Sequence, residues 1–156
     1  ELTEYLTEQY EKTGRKVIVA MAGDHAPSFV DHVADHTFTD ENNLQILERS
    51  TPYLIWANYP LENAGQTSAT DEYNRMDMCM LAPTLVENAG LPLTPYYQYL
   101  LALKQVAPVV TAANDYMDAD GVTAELDAWV HGYFYLEYNN IGAKATSQQN
   151  LFQVEK

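Results

Sequence analysis

The residues best equipped for chemistry are Asp24 and His25, adjacent in Gly23-Asp24-His25-Ala26-Pro27. A carboxylate and a neutral imidazole are good ligands for Zn²⁺ or Mn²⁺. Gly23 permits close backbone approach and Pro27 stiffens the exit, so two consecutive side chains can converge on one ion. The same dipeptide also suits a turn closed by an Asx bond, with the imidazole in solvent. His32 and His36, in Asp31-His32-Val33-Ala34-Asp35-His36, stand at the i, i+4 spacing of helical zinc pairs. The Glu of that motif is missing, with Val33 in its place, so a solvated face is expected there. His131, beside Gly132 and near Trp129, is expected to pack or cap. Cys79 lies in a mostly apolar run and is expected to be a buried small hydrophobe. Trp56 and Asn58, near the end of a strand candidate, are the residues expected to face a substrate, with Asn58 bonding a substrate oxygen. There is no Gly-rich phosphate loop and no Gly-x-Ser-x-Gly elbow, which argues against P-loop kinases and α/β-type serine hydrolases.

The elements that must position these residues follow from periodicity. Leu2, Tyr5, Leu6 and Gln9-Tyr10 repeat at helical spacing, and Gly14 supplies a left-handed stop. Lys16-Val-Ile-Val-Ala-Met-Ala22 is an apolar run without polar alternation, which predicts a strand covered on both faces, as in a parallel sheet. Asp24 and His25 then fall just past the carboxyl end of a buried strand, the usual place for ligands in open α/β sheets. Short helices are expected over 28–38 and 40–49, and a second strand over 51–58. The polar stretch 59–70 is expected to be a loop, and 62–71 a candidate lining for a substrate mouth. A short helix over 73–80 precedes one that holds Pro83 in its first turn and stops at Gly90. The spacing of Tyr96, Tyr99, Leu100 and Leu103 predicts an amphipathic helix over 95–106. A strand is expected from Pro108, then a turn at Asp118-Ala-Asp120-Gly121. A helix capped by Thr123 is expected to run to about Tyr138, with Leu126, Trp129, Val130 and Tyr133 inward. The last residues are expected to form a strand or a tail.

Composition bounds the function. The chain has 156 residues, 47% of them hydrophobic and 19% charged, as expected of a globular chain. Acidic residues outnumber basic ones 22 to 8, for a formal charge of -14. Such a surface repels phosphate backbones, so no nucleic-acid partner is expected, and docking to anionic lipid is disfavoured. A bound divalent cation would reverse the field locally. With a single cysteine no internal disulfide forms.

The order of these features resembles the alkaline phosphatase superfamily, and most closely its lipoteichoic acid synthase and phosphoglycerol transferase branch, often called sulfatase-like. The likeness is carried by the Gly23-Asp24-His25-Ala26-Pro27 strand end and by Ser50-Thr-Pro-Tyr-Leu-Ile-Trp-Ala-Asn58. Leu81-Ala-Pro-Thr-Leu-Val-Glu-Asn-Ala-Gly-Leu-Pro92 and Tyr133-Phe-Tyr-Leu-Glu-Tyr-Asn139 add to it. It spans nearly the whole chain, and its motifs are moderately specific together and weak singly. The resemblance implies an extracytoplasmic domain of a bacterial membrane protein that holds one divalent cation. Mn²⁺ is the ion it implies first, with Zn²⁺, Mg²⁺ or Ca²⁺ as alternatives. In that family the ligands are an acidic residue and a nucleophilic Thr, both upstream, together with an Asp-His pair. Asp24 and His25 match the pair, and nothing here matches the other two, so no catalytic nucleophile is assigned in this sequence.

The resulting expectation is an α/β chain, a partly parallel sheet flanked by helices, forming the C-terminal fragment of an alkaline-phosphatase-like domain. Residues 1–110 would be its core part and 111–156 a C-terminal extension. The whole protein would transfer phosphoglycerol, or hydrolyse a phosphate or sulfate ester, in the cell envelope. Its partners would be a phosphoglycerol- or sulfate-bearing substrate and the remainder of its own catalytic domain, and the isolated fragment would be inactive and would self-associate. The rival expectations are a non-catalytic α/β module that binds a partner through its aromatic surface, and a divergent family member without the nucleophile.

Overall fold

The structure, a computed structural model, describes residues 1–25, 50–61, 75–110, 116–117, 124–141 and 149–154. Two compact units divide the chain, Glu1–Pro60 and Leu61–Lys156. Helices expected over 28–38 and 40–49, the 62–71 loop, the turn at 118–121 and the Thr123 cap lie outside the described residues, as do His32 and His36.

In the first unit, α1 (Leu2–Thr13) ends as its sequence directs. Gly14 takes a left-handed conformation at φ 71°, and its N–H donates to the Tyr10 carbonyl at 2.7 Å. Strand β1 (Ile18–Ala22) pairs antiparallel with β2 (Tyr53–Ala57), Ile18 opposite Ala57 and Ala22 opposite Tyr53. One further bond closes each end: Asn58 N–H donates to the Val17 carbonyl at 3.1 Å, and Gly23 N–H donates to the Pro52 carbonyl at 3.1 Å. These bonds fix which groups face inward. Residues 17, 19, 21 and 23 bond across the pair, while Ile18, Ala20 and Ala22 turn their N–H and C=O groups to the outer edge.

One expectation is met here only in its coarser form, and another is corrected. Among the described residues both sheets are antiparallel pairs, so a mixed helix-and-strand protein is present but no parallel pairing is. Nor is β1 covered on both faces, because Ala20, Met21 and Ala22 are exposed. An apolar run without alternation tells which residues avoid water; it does not tell what covers them.

The second unit is built on helices. Asp77 caps a single 3-10 turn (Met78–Met80), its carboxylate accepting from Cys79 N–H at 3.1 Å. The helix expected over 73–80 is thus only this turn among the described residues. Helix α2 (Leu81–Asn88) ends with Gly90 at φ 67°, where Gly90 N–H reaches the Glu87 carbonyl and Leu91 N–H the Val86 carbonyl. Helix α3 (Pro95–Val106) starts at Thr94, whose hydroxyl accepts from Tyr97 N–H at 3.1 Å, and buries Tyr96, Leu100 and Leu103. Strands β3 (Val109–Val110) and β4 (Tyr116–Met117) pair antiparallel; β4 gave no signal in the sequence. Helix α4 (Ala124–Ile141) packs on α3, and a 3-10 turn (Gln149–Phe152) stands where a strand or tail was expected. Met80, Leu103, Ala107, Val110 and Val130 form the core, with Cys79, Tyr99, Trp129, Tyr133 and Phe134 packed against it. Val130 of α4 thus shares one core with Leu103 of α3.

Candidate metal-binding strand end

Strand β1 delivers its chain to Gly23 within the first unit, and β2 begins directly beside it. A Cβ on residue 23 would lie 2.7 Å from Thr51 Cβ, so only glycine fits this approach. Three interactions hold the junction. Gly23 N–H is bonded to the Pro52 carbonyl at 3.1 Å, the Thr51 hydroxyl donates to the Gly23 carbonyl at 3.0 Å, and the Thr51 methyl packs over Gly23. The backbone on both sides of the Gly23 Cα is therefore fixed just before the two candidate ligands.

Asp24 and His25 follow in a bend, both in solvent, with side chains 88% and 77% exposed. His25 N–H donates to Asp24 Oδ1 at 3.0 Å, which is the local closure that the dipeptide allows. That bond leaves the second oxygen, Oδ2, turned to the imidazole, 3.5 Å from His25 Nε2. Two donors each about 2.0–2.2 Å from one ion, at a tetrahedral angle, stand about 3.4 Å apart. The spacing of Oδ2 and Nε2 thus matches that of two ligands on one tetrahedral ion. Among the described residues no group of three His, Cys, Asp or Glu side chains gathers for a metal.

Trp56 and Asn58 are not brought to this end. Trp56 is half-buried opposite Val19, and Asn58 sits beside Val17 at the far end of the strand pair. At about 3.3 Å per residue, the seven steps from Val17 to Asp24 span roughly 23 Å. The Asn58 side chain is also fully engaged. Its Oδ1 accepts from Val17 N–H at 2.8 Å, and its Nδ2 donates to the Leu6 carbonyl at 2.8 Å and the Arg15 carbonyl at 3.1 Å. Asn58 is 7% exposed and ties α1 and its following turn to the strand pair. Both of its donor hydrogens are thus taken, leaving none to give to a substrate oxygen.

Thr51 is the residue that sequence reasoning passed over. It lay within a quoted motif, but only the antiparallel register puts it against Gly23. Once Ile18 is known to face Ala57, each residue and its partner sum to the same total, and 23 falls beside 52.

In the second unit the histidine and cysteine expectations part ways. His131 is exposed on α4 and is not packed. Cys79 packs against the core, where burial first and the Asp77 charge second push its thiol up to about 12. It remains a neutral thiol at physiological pH, the unreactive form.

Compared with protein-family models, with curated proteins and with solved structures, the chain matches none.

Proposed function

We propose that this chain is part of a metal-dependent transferase or hydrolase that acts on phosphoglycerol, or on a phosphate or sulfate ester, in the cell envelope. Asp24 and His25 hold a divalent cation, Mn²⁺ first, in an extracytoplasmic domain of a bacterial membrane protein. The observation that carries the reading is the 3.5 Å spacing of Asp24 Oδ2 and His25 Nε2 at a strand end anchored by Gly23 and Thr51. The sequence resemblance supplies the reaction class. A cation held there contributes Lewis acidity at a phosphoryl or sulfuryl oxygen. The chain's own residues do the holding, Asp24 by charge and His25 by its ring nitrogen.

The reading also includes a larger, partly parallel sheet and an acidic residue and Thr nucleophile from outside this sequence. The outer edge of β1 supports the former. Ile18, Ala20 and Ala22 carry outward backbone groups, and neither β1 nor β2 holds a charge or proline that would blunt pairing. Turnover by the full-length protein, with a phosphoglycerol lipid or a chromogenic phosphate or sulfate ester as substrate, tests the reading. Asp24→Ala is expected to abolish Mn²⁺-dependent turnover, and full activity in that variant overturns the assignment. The 156-residue chain alone is expected to turn over nothing.

The second reading, a non-catalytic module that binds through aromatic residues, has one observation of its own. Tyr135 and Tyr138, one turn apart on α4, are 70% and 68% exposed. Exposed tyrosines of this kind suit binding interfaces.

A further inference from the structure

We propose that Thr51 is a positioning residue for the Asp24–His25 pair, holding the Gly23–Asp24 peptide so that both donor side chains keep one common aim. The inference rests on the metal-site reading above but concerns a residue to which that reading gives no role.

The argument starts from what a pair of exposed ligands needs. Asp24 and His25 have little packing of their own, being 88% and 77% exposed. A ligand that lies in solvent is oriented by the groups behind it, and loss of such support typically weakens metal binding. Here the support is the backbone that leads into the pair. The Gly23 carbonyl belongs to the same peptide plane as the Asp24 N–H. The Thr51 hydroxyl bonds that carbonyl at 3.0 Å and so sets the plane from which the Asp24 side chain departs. Gly23 N–H is fixed separately by the Pro52 carbonyl. With both peptide planes of Gly23 tethered to β2, residue 24 has a defined starting direction. The bond from His25 N–H to Asp24 Oδ1 then passes that direction on to residue 25. Threonine suits the place for two reasons. Its hydroxyl makes the bond, and its Cβ and methyl fill the space that the missing side chain of Gly23 leaves, at 2.7 and 3.2 Å from where a Cβ would stand.

Two substitutions separate these contributions. Thr51→Val keeps the shape and removes the hydroxyl; Thr51→Ser keeps the hydroxyl and removes the methyl. The experiment records amide spectra of the ¹⁵N-labelled chain and then adds MnCl₂. In the Val variant the Asp24 and His25 resonances are expected to move, because the carbonyl bond polarises the Asp24 amide. Those of Val17 and Asn58, at the other end of the strands, are expected to stay. The MnCl₂ needed to half-broaden His25 should rise about tenfold. Thr51→Ser should restore both readouts. Unmoved Asp24 and His25 resonances in the Val variant overturn the proposal, and so does a Ser variant that restores nothing. Collapse of the Val17 and Asn58 resonances as well would make Thr51 a general support of the hairpin, which also counts against it. If the Val variant shifts and the Ser variant restores, but Mn²⁺ leaves wild-type His25 untouched, the positioning role stands and the metal reading fails.

Discussion

The strand end depends on one missing side chain. Gly23 has no Cβ, and Thr51 occupies the space one would need, 2.7 Å away at its own Cβ. That atom is anchored to the backbone and cannot swing aside as the tip of a long side chain can. Gly23→Ala is therefore expected to part the two strand ends and destabilise the first unit by about 1–3 kcal/mol, the usual range for overpacking. A lowered urea midpoint at unchanged slope checks this, and an unchanged midpoint would mean the strands stand further apart than described. At this scale the sequence was legible where a residue's chemistry is also its role. Gly23, Asp24 and His25 announced themselves by type and order. Asn58 did not, because an amide at a strand end looks the same whether it faces a ligand or three backbone groups. Thr51 stayed hidden because its partner is 28 residues away in sequence, and a hydroxyl carries no sign of what it will bond.

Asn58 decides how the elements of the first unit are joined. It satisfies Val17 N–H and reaches two carbonyls, one in α1 and one in the turn after it. Asn58→Ala strands these groups, at a cost of about 1–3 kcal/mol. Asn58→Asp is expected to be worse, since it keeps the acceptor for Val17 but aims a carboxylate oxygen at the Leu6 and Arg15 carbonyls. Thermal unfolding of the two variants ranks them; equal stability would contradict the donor role of Nδ2. In the second unit α3 and α4 are joined by phenols. Tyr96 bonds the Glu137 carboxylate, and Tyr99 bonds the Trp129 carbonyl and stacks on its ring; Tyr133 and Cys79 pack against the same core. Burial raises the pKa of all three phenols and of the thiol, reaching about 12 for Tyr99 and Cys79. Each group thus holds its proton longer folded than unfolded. Their contribution is complete below the ordinary values of 9.0 for the thiol and 10.0 for the phenols, and is lost as pH rises toward the folded values. Urea midpoints of the second unit should fall as pH rises from about 9 toward about 12, less steeply in Tyr133→Phe. A midpoint that stays level would contradict the burial of these groups. Helix boundaries were the most legible elements, since Gly14, Gly90 and Pro95 mark them by backbone preference. Strand partners were not, because an apolar run specifies neither the direction of its neighbour nor what covers it. The two-residue β4 is too short to leave a periodic signal.

For the molecule as a whole, charge sets the conditions of any metal experiment. With 22 acidic and 8 basic residues, the chain attracts Mn²⁺ over much of its surface, whatever its function. Retention of metal by the protein is therefore weak evidence, and removal of one carboxylate among 22 would hardly change it. Location is the informative quantity. The composition made this acidity plain but did not reveal how the chain divides. The division into Glu1–Pro60 and Leu61–Lys156 follows from which residues pack together, and Leu103, Val110 and Val130 share one core. The most direct test of the metal reading uses the paramagnetism of Mn²⁺, which broadens nearby resonances steeply with distance. On titration of the ¹⁵N-labelled chain with MnCl₂, broadening is expected to centre on Asp24 and His25, to spare Val17 and Asn58 at equal Mn²⁺, and to vanish from that strand end in Asp24→Ala. Broadening spread over acidic side chains throughout the chain, unchanged in Asp24→Ala, would contradict the assignment of Asp24 and His25 as metal ligands.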